Sequence, residues 1–418
     1  MIRHADVSLP NHDQRVDALV QQVRELAVTG VHDLTLVTQR AHGHGHGLDV
    51  SALAHVLEID PERRRCIAEP GVRFRDLVRA TLPLGLVPTV VPELERFTLG
   101  GAVARCAVAS TSFRHGGFFD SVDELELLTG TGELLTLTPD RDPALFPLLH
   151  GSHGTLGVIT RLGFRLVPAR PYVRLRYLRH RDFAGFHAAL RSHVAAGEVD
   201  FIDGIIHAAD HLTLCIGEYV DHAPYLSDYR RDDIYYKSTR HRALDYLPSE
   251  HYLFRFDTEC HWLTRTIPGL EHPLLRRLLG SQLLGSCNLQ RWSRRLAPVI
   301  RQLQRRPDVN LDLRIPDSRV ADFYRWHARE PRFYPLWLIP CRLPGAGPHG
   351  RELLIDCAIR GMPNDEPERD WSALFAAQTA ACGGLELHRA CDSNLQQPHY
   401  SAARQRLDPH ALFRRDPS

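Results

Sequence analysis

Lysine is almost absent from this chain: of 51 lysine and arginine side chains only one, Lys237 in "IYYKSTRHR", is a lysine. Acidic residues number 50, so the formal net charge of +1 leaves no footprint for nucleic acid and no polybasic patch for a membrane surface. Long apolar runs are missing as well, and none approaches the ~18 residues that a membrane-spanning helix needs. The opening "MIRHADVSLPNHDQRVDALV" has neither the apolar centre of a signal peptide nor a twin-arginine pair. A cytoplasmic protein is the expectation, with peripheral membrane contact left open. The cysteines number 9 and are scattered without a CxxC pair. This excludes a zinc ribbon and a thioredoxin-like site, and fits free thiols in a reducing compartment.

What is present points to two domains, because 418 residues exceed one ordinary core. Val16, Leu19, Val20, Val23 and Leu26 fall on one helical face over 13–29, and Gly30 stops the pattern. "LTLVTQ", "AHVLEID" and "RRCIAEPG" read as short strands, and a helix is expected over 74–82. "VDELELLTGTGELLTLTPD" reads as a hairpin around Thr-Gly-Thr-Gly. Beyond Pro168 and Pro171, strands such as "YVRLRYL" and "LTLCIGEYV" alternate with helices near 183–196, 292–305 and 371–382, and the tail carries one more helix. The fold class is α+β.

Two glycine-rich stations stand out in the first part. "TLGGAV" (98–103) sets two glycines at a helix start, where backbone N–H groups can approach a phosphate. "GSHGTLGVIT" (151–160) places glycines ahead of a β-branched strand, where backbone can lie against a flat ring. Neither matches GxGxxG after a first strand or GxxxxGK[ST], so Rossmann and P-loop sites are excluded.

In order and spacing, "VLEIDPERRRCIAEPGVRFRDLV", "LGLVPTVVPELERFTLGG", "STSFRHG", the hairpin and "LFPLLHGSHGTLGVITRLGFRLVPA" resemble the PCMH-type FAD-binding domain of the vanillyl-alcohol oxidase superfamily. With "IYYKSTRHR", "VNLDLRIP" and "FYPLWLIPCRLPG" added, the chain is most similar to the delta(24)-sterol reductase branch. The resemblance implies an FAD-binding domain over 1–170, a substrate or cap domain over 171–385, and a tail, 386–418, returning to the first. It implies that FAD meets Gly43, His44, Gly45 and His46 of the "HGHGHG" loop, then Pro92, Thr98, Leu99, Gly100, Gly101, Ser110 and Ser112. His115 and Gly116 follow, where the family often has tyrosine before the glycine, and then Gly154, Thr155, Gly157, Val158 and Ile159. Noncovalent FAD is expected. Some oxidases of the superfamily instead join a histidine of this loop to the flavin, for which His42, His44 and His46 are the candidates. The three would share one face of an extended chain, but a metal site there lacks a clear fourth ligand, so no metal is expected.

The activity implied is reduction of a carbon–carbon double bond of a small apolar, terpenoid- or sterol-like substrate with NAD(P)H. Hydride would come from the flavin and the proton from an acid of the cap. In "FDTECHW", Asp257, Glu259 and His261 would share one face if the segment is a strand, and are the candidate donors. Lys237 and the adjacent Tyr236 are candidates for polarising substrate or meeting an NAD(P)H phosphate, since an ammonium is compact and shifts its pKa readily. Two other functions fit the same first domain: an alcohol oxidase using oxygen, and a flavin-binding protein without turnover.

Overall fold

The apolar stripe near the start forms helix His12–Val28, with Val16, Leu19 and Val23 buried. Asn11 caps it by accepting from the Gln14 N–H, while the Gln14 side chain accepts from the Asn11 N–H, so two otherwise orphaned donors are satisfied. The chain is described from a computed structural model covering residues 11–32, 34–37, 47–230, 233–259, 308–343, 352–386 and 398–413, together with His272. The expected helix near 292–305 lies outside the described residues, as do His42, Gly43, His44, Gly45, His46 and His261.

The first unit is built on an antiparallel sheet in the order Val56–Asp60, Arg65–Ala68, Val158–Pro168, Val122–Leu128, Leu134–Leu137, with Leu86–Pro88 paired to the far end of Val158–Pro168. A small parallel pair, Thr35–Val37 and Gly47–Asp49, lies beside it. The first helix is fastened to this sheet by charge as well as by packing. Glu69 is fully buried and accepts from Arg15 Nη2 at 2.6 Å, from His12 Nδ1 at 2.8 Å and from His55 Nδ1 at 2.8 Å. His12 Nε2 reaches Glu126 on strand Val122–Leu128 at 3.2 Å, and Thr160 also donates to Glu126 at 2.7 Å.

The second unit is an eight-stranded antiparallel sheet ordered Leu244–Pro248, Tyr172–His180, His211–Val220, Phe201–Ala208, Leu336–Cys341, Leu354–Met362, Val309–Pro316, Leu385–Glu386. Both faces are covered, so its central strands are apolar at nearly every position. Along Phe201–Ala208, Ile202 and Ile206 pack under helices Phe183–Ala196, Val320–Arg329 and Trp371–Ala381, while Phe201 and Ile205 join the core shared with the first unit. Gly204 lies on the helix side, where a Cβ would come within 2.4 Å of the Phe186 ring. Helix Pro398–Leu407 returns to the first unit: Gly130 N–H donates to Leu407 O at 2.8 Å, and Leu34 pairs with Phe413.

One local expectation is corrected. Asp257–Glu259 is a 3₁₀ turn, not a strand, following helix Ser249–Leu253. Every residue from Tyr252 to Thr258 is buried, so the segment has no solvent face to alternate with, and period-two reasoning has nothing to act on.

The Glu69 network makes stability depend on pH with a definite sign. Burial opposes a charge on His12, but the hydrogen bonds to Glu126 and Glu69 outweigh it and raise the imidazolium from 6.5 to about 9. A folded-state pKa above the unfolded one gives stability that is complete below 6.5 and lost as pH rises through 9. His12→Ala should therefore destabilise the protein by about 3 kcal/mol at pH 6, the cost of leaving buried carboxylates short of a partner. In paired thermal melts, the gap between parent and variant should close as the pH passes 9.

Candidate active site

Two clefts are lined by the glycine stations and their surroundings. The first lies within the first unit, between Thr98, Gly100, Gly101, Arg105, His153, Gly154, Gly157 and the apolar walls Leu36, Val50, Leu127, Val158 and Ile159. Thr98 caps the short helix Leu99–Ala104 by accepting from Gly101 N–H at 3.3 Å. The two glycines of this helix do different work. A Cβ on Gly100 would stand 2.7 Å from Pro70 Cβ, so that position is closed by packing, whereas a Cβ on Gly101 would meet only the Thr98 hydroxyl at 3.1 Å. Gly154 and Gly157 hold φ of +78° and +144°, and a Cβ on Gly157 would lie 2.6 Å from Leu128 O.

The second cleft, about 260 Å³, lies between the units. From the first come Val87, Pro88, Thr89, Val91, Ser110 and His115, and from the second Asp200, Phe201, Tyr219, Leu253 and Arg255. The loop over 106–116 that carries Ser110 and His115 is gripped by the second unit. Arg314 donates to Cys106 O at 2.7 Å, Ile202 N–H to Ser110 O at 2.9 Å, and Arg342 N–H to Ser112 O at 3.1 Å. Burial, then the Arg114 and Arg165 cations, lower the His115 pKa, so its ring is neutral near pH 7.

Behind Ser110 and Arg255 lies a buried charge cluster that spans the boundary. The side chains of Arg255, Asp203 and Glu93 are 1%, 1% and 4% exposed. Arg255 Nη2 donates to Asp203 Oδ2 at 2.5 Å, and Trp337 Nε1 donates to the same oxygen at 3.3 Å. The guanidinium lies 4.3 Å from the Tyr252 ring centre and 4.8 Å from that of Phe256, so aromatic faces shield it. Glu93 Oε1 is 3.8 Å from Arg255 Nη2, beyond hydrogen-bond reach, and has no hydrogen-bond partner. Burial is the main cause that pushes the Glu93 carboxyl up to about 8, and Arg255 draws it back only in part. Sequence reasoning passed over these residues. The signal was a single charge inside each of three apolar runs, "VVPEL", "FIDGII" and "YLFRF".

The residues singled out from sequence fall into groups. Thr98, Gly100, Gly101, Gly154, Gly157, Val158 and Ile159 line the first cleft, and Ser110 and His115 the second. Pro92, Leu99, Ser112, Gly116 and Thr155 line neither. Leu99 is core, the Ser112 hydroxyl accepts from Ala109 N–H at 2.9 Å, and the Thr155 hydroxyl is bonded to Tyr400 OH at 2.6 Å. Asp257 is buried, and its Oδ1 accepts from Glu95 N–H at 2.9 Å, a bond across the boundary. The backbone of Glu259 ends the 3₁₀ turn. Lys237 is half-buried in the short helix Tyr235–Ser238, its Nζ 6.0 Å from the ring centre of buried Tyr236, and neither residue lines either cleft.

Comparison with known proteins places this geometry. Residues 7–138 match the family described as FAD binding domain. Over 379 residues the chain is 26% identical to human delta(24)-sterol reductase, covering 84% of this chain and 73% of that protein. It is 25% identical to the Arabidopsis thaliana delta(24)-sterol reductase over 322 residues, or 71% and 56% of the two chains. Rice cytokinin dehydrogenase 9 is 28% identical over 208 residues, 47% of this chain and 40% of its own. The first cleft fits FAD on its own chemistry. Without a Cβ, Gly101 leaves its backbone open to close approach by a diphosphate, Arg105 supplies a cation, and apolar walls suit flat rings.

Gly101→Val should weaken FAD binding at least tenfold, about 1.4 kcal/mol, while apo-protein stability stays near that of the parent. Gly100→Val should instead cost the fold, because of the Pro70 contact. Flavin content and thermal melts of the two variants check the contrast, and a yellow, fully loaded Gly101→Val protein would contradict it.

Proposed function

We propose that this chain, an FAD-dependent oxidoreductase, reduces a carbon–carbon double bond of an apolar, terpenoid- or sterol-like substrate, with NAD(P)H as electron donor. The observation that carries the proposal is the wall of the inter-unit cleft. Its apolar residues come from both units, and its charged ones are already engaged. Arg114 donates to Val199 O at 2.7 Å, Asp200 accepts from Tyr219 N–H at 2.8 Å, and Arg255 is paired with Asp203. A charged substrate would find no free counter-charge in these pairs, whereas an apolar one loses nothing by displacing water. The relatives named as delta(24)-sterol reductases support the same chemistry.

Bound FAD supplies hydride transfer, and the residues of this chain supply the rest. Thr98, Gly100, Gly101, Gly154, Gly157 and Arg105 would hold the dinucleotide. Val87, Val91, Phe201 and Leu253 would exclude water from the alkene, and an isolated alkene also needs a proton from an acid near the cleft.

Under anaerobic conditions NADPH should bleach the flavin band, and a Δ24-unsaturated sterol added afterwards should restore it. Bleaching by an alcohol together with reoxidation by oxygen alone would replace this reading with an oxidase. A flavin that no donor bleaches would indicate binding without turnover.

A further inference from the structure

We infer that Glu93 is the proton-donating acid of this site, an assignment that rests on the reductase reading. Three features carry it. Glu93 lies in the strip Val90–Leu94, all of it buried, which runs from the first cleft's helix to the second unit. Glu93 itself lines neither cleft, but its buried, unpartnered Oε1 lies 3.8 Å from Nη2 of Arg255, which with Ser110 lines the inter-unit cleft. The cluster sets two carboxylates against one guanidinium, one bonded at 2.5 Å and the other at 3.8 Å, and two buried negative charges beside one positive charge are not both sustained.

The geometry decides which carboxylate takes the proton. Asp203 Oδ2 accepts from both Arg255 and Trp337 and is the better bonded of the two carboxylates, although its Oδ1 has no partner. Glu93 lacks such a bond from the guanidinium. Asp257, the acid nearest in sequence to Arg255, is tied by Oδ1 to the Glu95 amide. Glu93 is therefore the neutral member. The charged and titratable groups around it are Arg255 and Asp203, with Arg360 further along the same sheet face and Tyr235 and Tyr252 against the guanidinium. Burial outweighs the pull of Arg255 and the backbone hydrogen bonds from Glu93 and Ser110, in agreement with a carboxyl raised to about 8.

The step balances. Hydride from reduced flavin forms one C–H bond and the alkene π bond breaks. The Glu93 O–H breaks, its proton forms the second C–H bond, and a carboxylate is left that regains a proton from solvent. NAD(P)H restores the reduced flavin.

Glu93→Gln keeps the shape of the side chain and removes the acid. The variant should bind FAD and be reduced by NADPH like the parent, while turnover of a Δ24-unsaturated sterol or a linear terpenoid alkene falls about 10²-fold or more. A second readout does not depend on activity. With ¹³C-labelled glutamate, the parent should show at pH 7 an isotope-shifted infrared carbonyl band of a neutral acid, fading as pH rises through about 8. That band should be missing from Glu93→Gln. Absence of the band from the parent at pH 7 overturns the assignment, as does parental alkene turnover in Glu93→Gln. Loss of turnover in Asp257→Asn with retention in Glu93→Gln overturns it too, leaving the reductase reading intact. If NADPH bleaches the flavin and no alkene restores it, the reductase reading falls and takes the donor role with it, whatever the band shows.

Discussion

A single buried guanidinium sets the relation between the two halves of this molecule. Arg255 belongs to the second unit and is paired there with Asp203, yet its Nη2 is also the nearest cation to Glu93 of the first. An unpaired charge at that depth would cost several kcal/mol, so the second unit can sit over the first only where Arg255 finds both its carboxylate and its aromatic shield. The neighbouring contacts follow from that placement. Glu95, two residues on from Glu93, gives its amide to Asp257 and its carboxylate to Arg230 at 2.9 Å. One short strip of the first unit is thus tied to the second through successive acidic residues. The inter-unit cleft is the space that remains when that strip and the Phe201–Ala208 strand are brought together.

The sequence exposed what depends on period and turn chemistry. The stripe from Val16 to Val23 became a helix, and the alternating runs on either side of Thr-Gly-Thr-Gly became an antiparallel hairpin with Leu128 opposite Leu134. It hid what depends on tertiary contact. "FDTECHW" looked like a polar strand because its charges alternate, but Asp257 is buried and spends its side chain on a backbone amide of the other unit. Arg255, two residues earlier and flanked by Phe254 and Phe256, drew no notice although it is the most consequential cation in the structure. A lone charge in an apolar run marks a buried pair, and the pair can be found only when its partners from distant segments are brought together.

Glycines divide along a similar line. Gly100 and Gly101 are adjacent, identical as sequence and both on the first cleft, yet one is dictated by Pro70 at its back and the other has only the Thr98 hydroxyl beside it. Thr155 shows the reverse case. It stands within a glycine turn whose neighbours line the first cleft, but its hydroxyl faces away and fastens the returning helix through Tyr400. A motif therefore locates a wall and does not say which of its residues are lining and which are foundation.

The near absence of lysine acquires a structural meaning from the same contacts. At the boundary between the units, arginines bind backbone carbonyls as well as carboxylates: Arg314 reaches Cys106 O and Arg114 reaches Val199 O, and within the second unit Arg360 bridges Leu311 O and Asp312 at once. A guanidinium presents several donors in one rigid plane and can serve two acceptors while buried; an ammonium is more strongly hydrated and costs more to dry. The loop over 106–116 is held over the cleft by such forks. Replacing these arginines by lysines would keep the charge and lose the geometry, so the guanidinium contacts are part of how this protein closes its two units on each other.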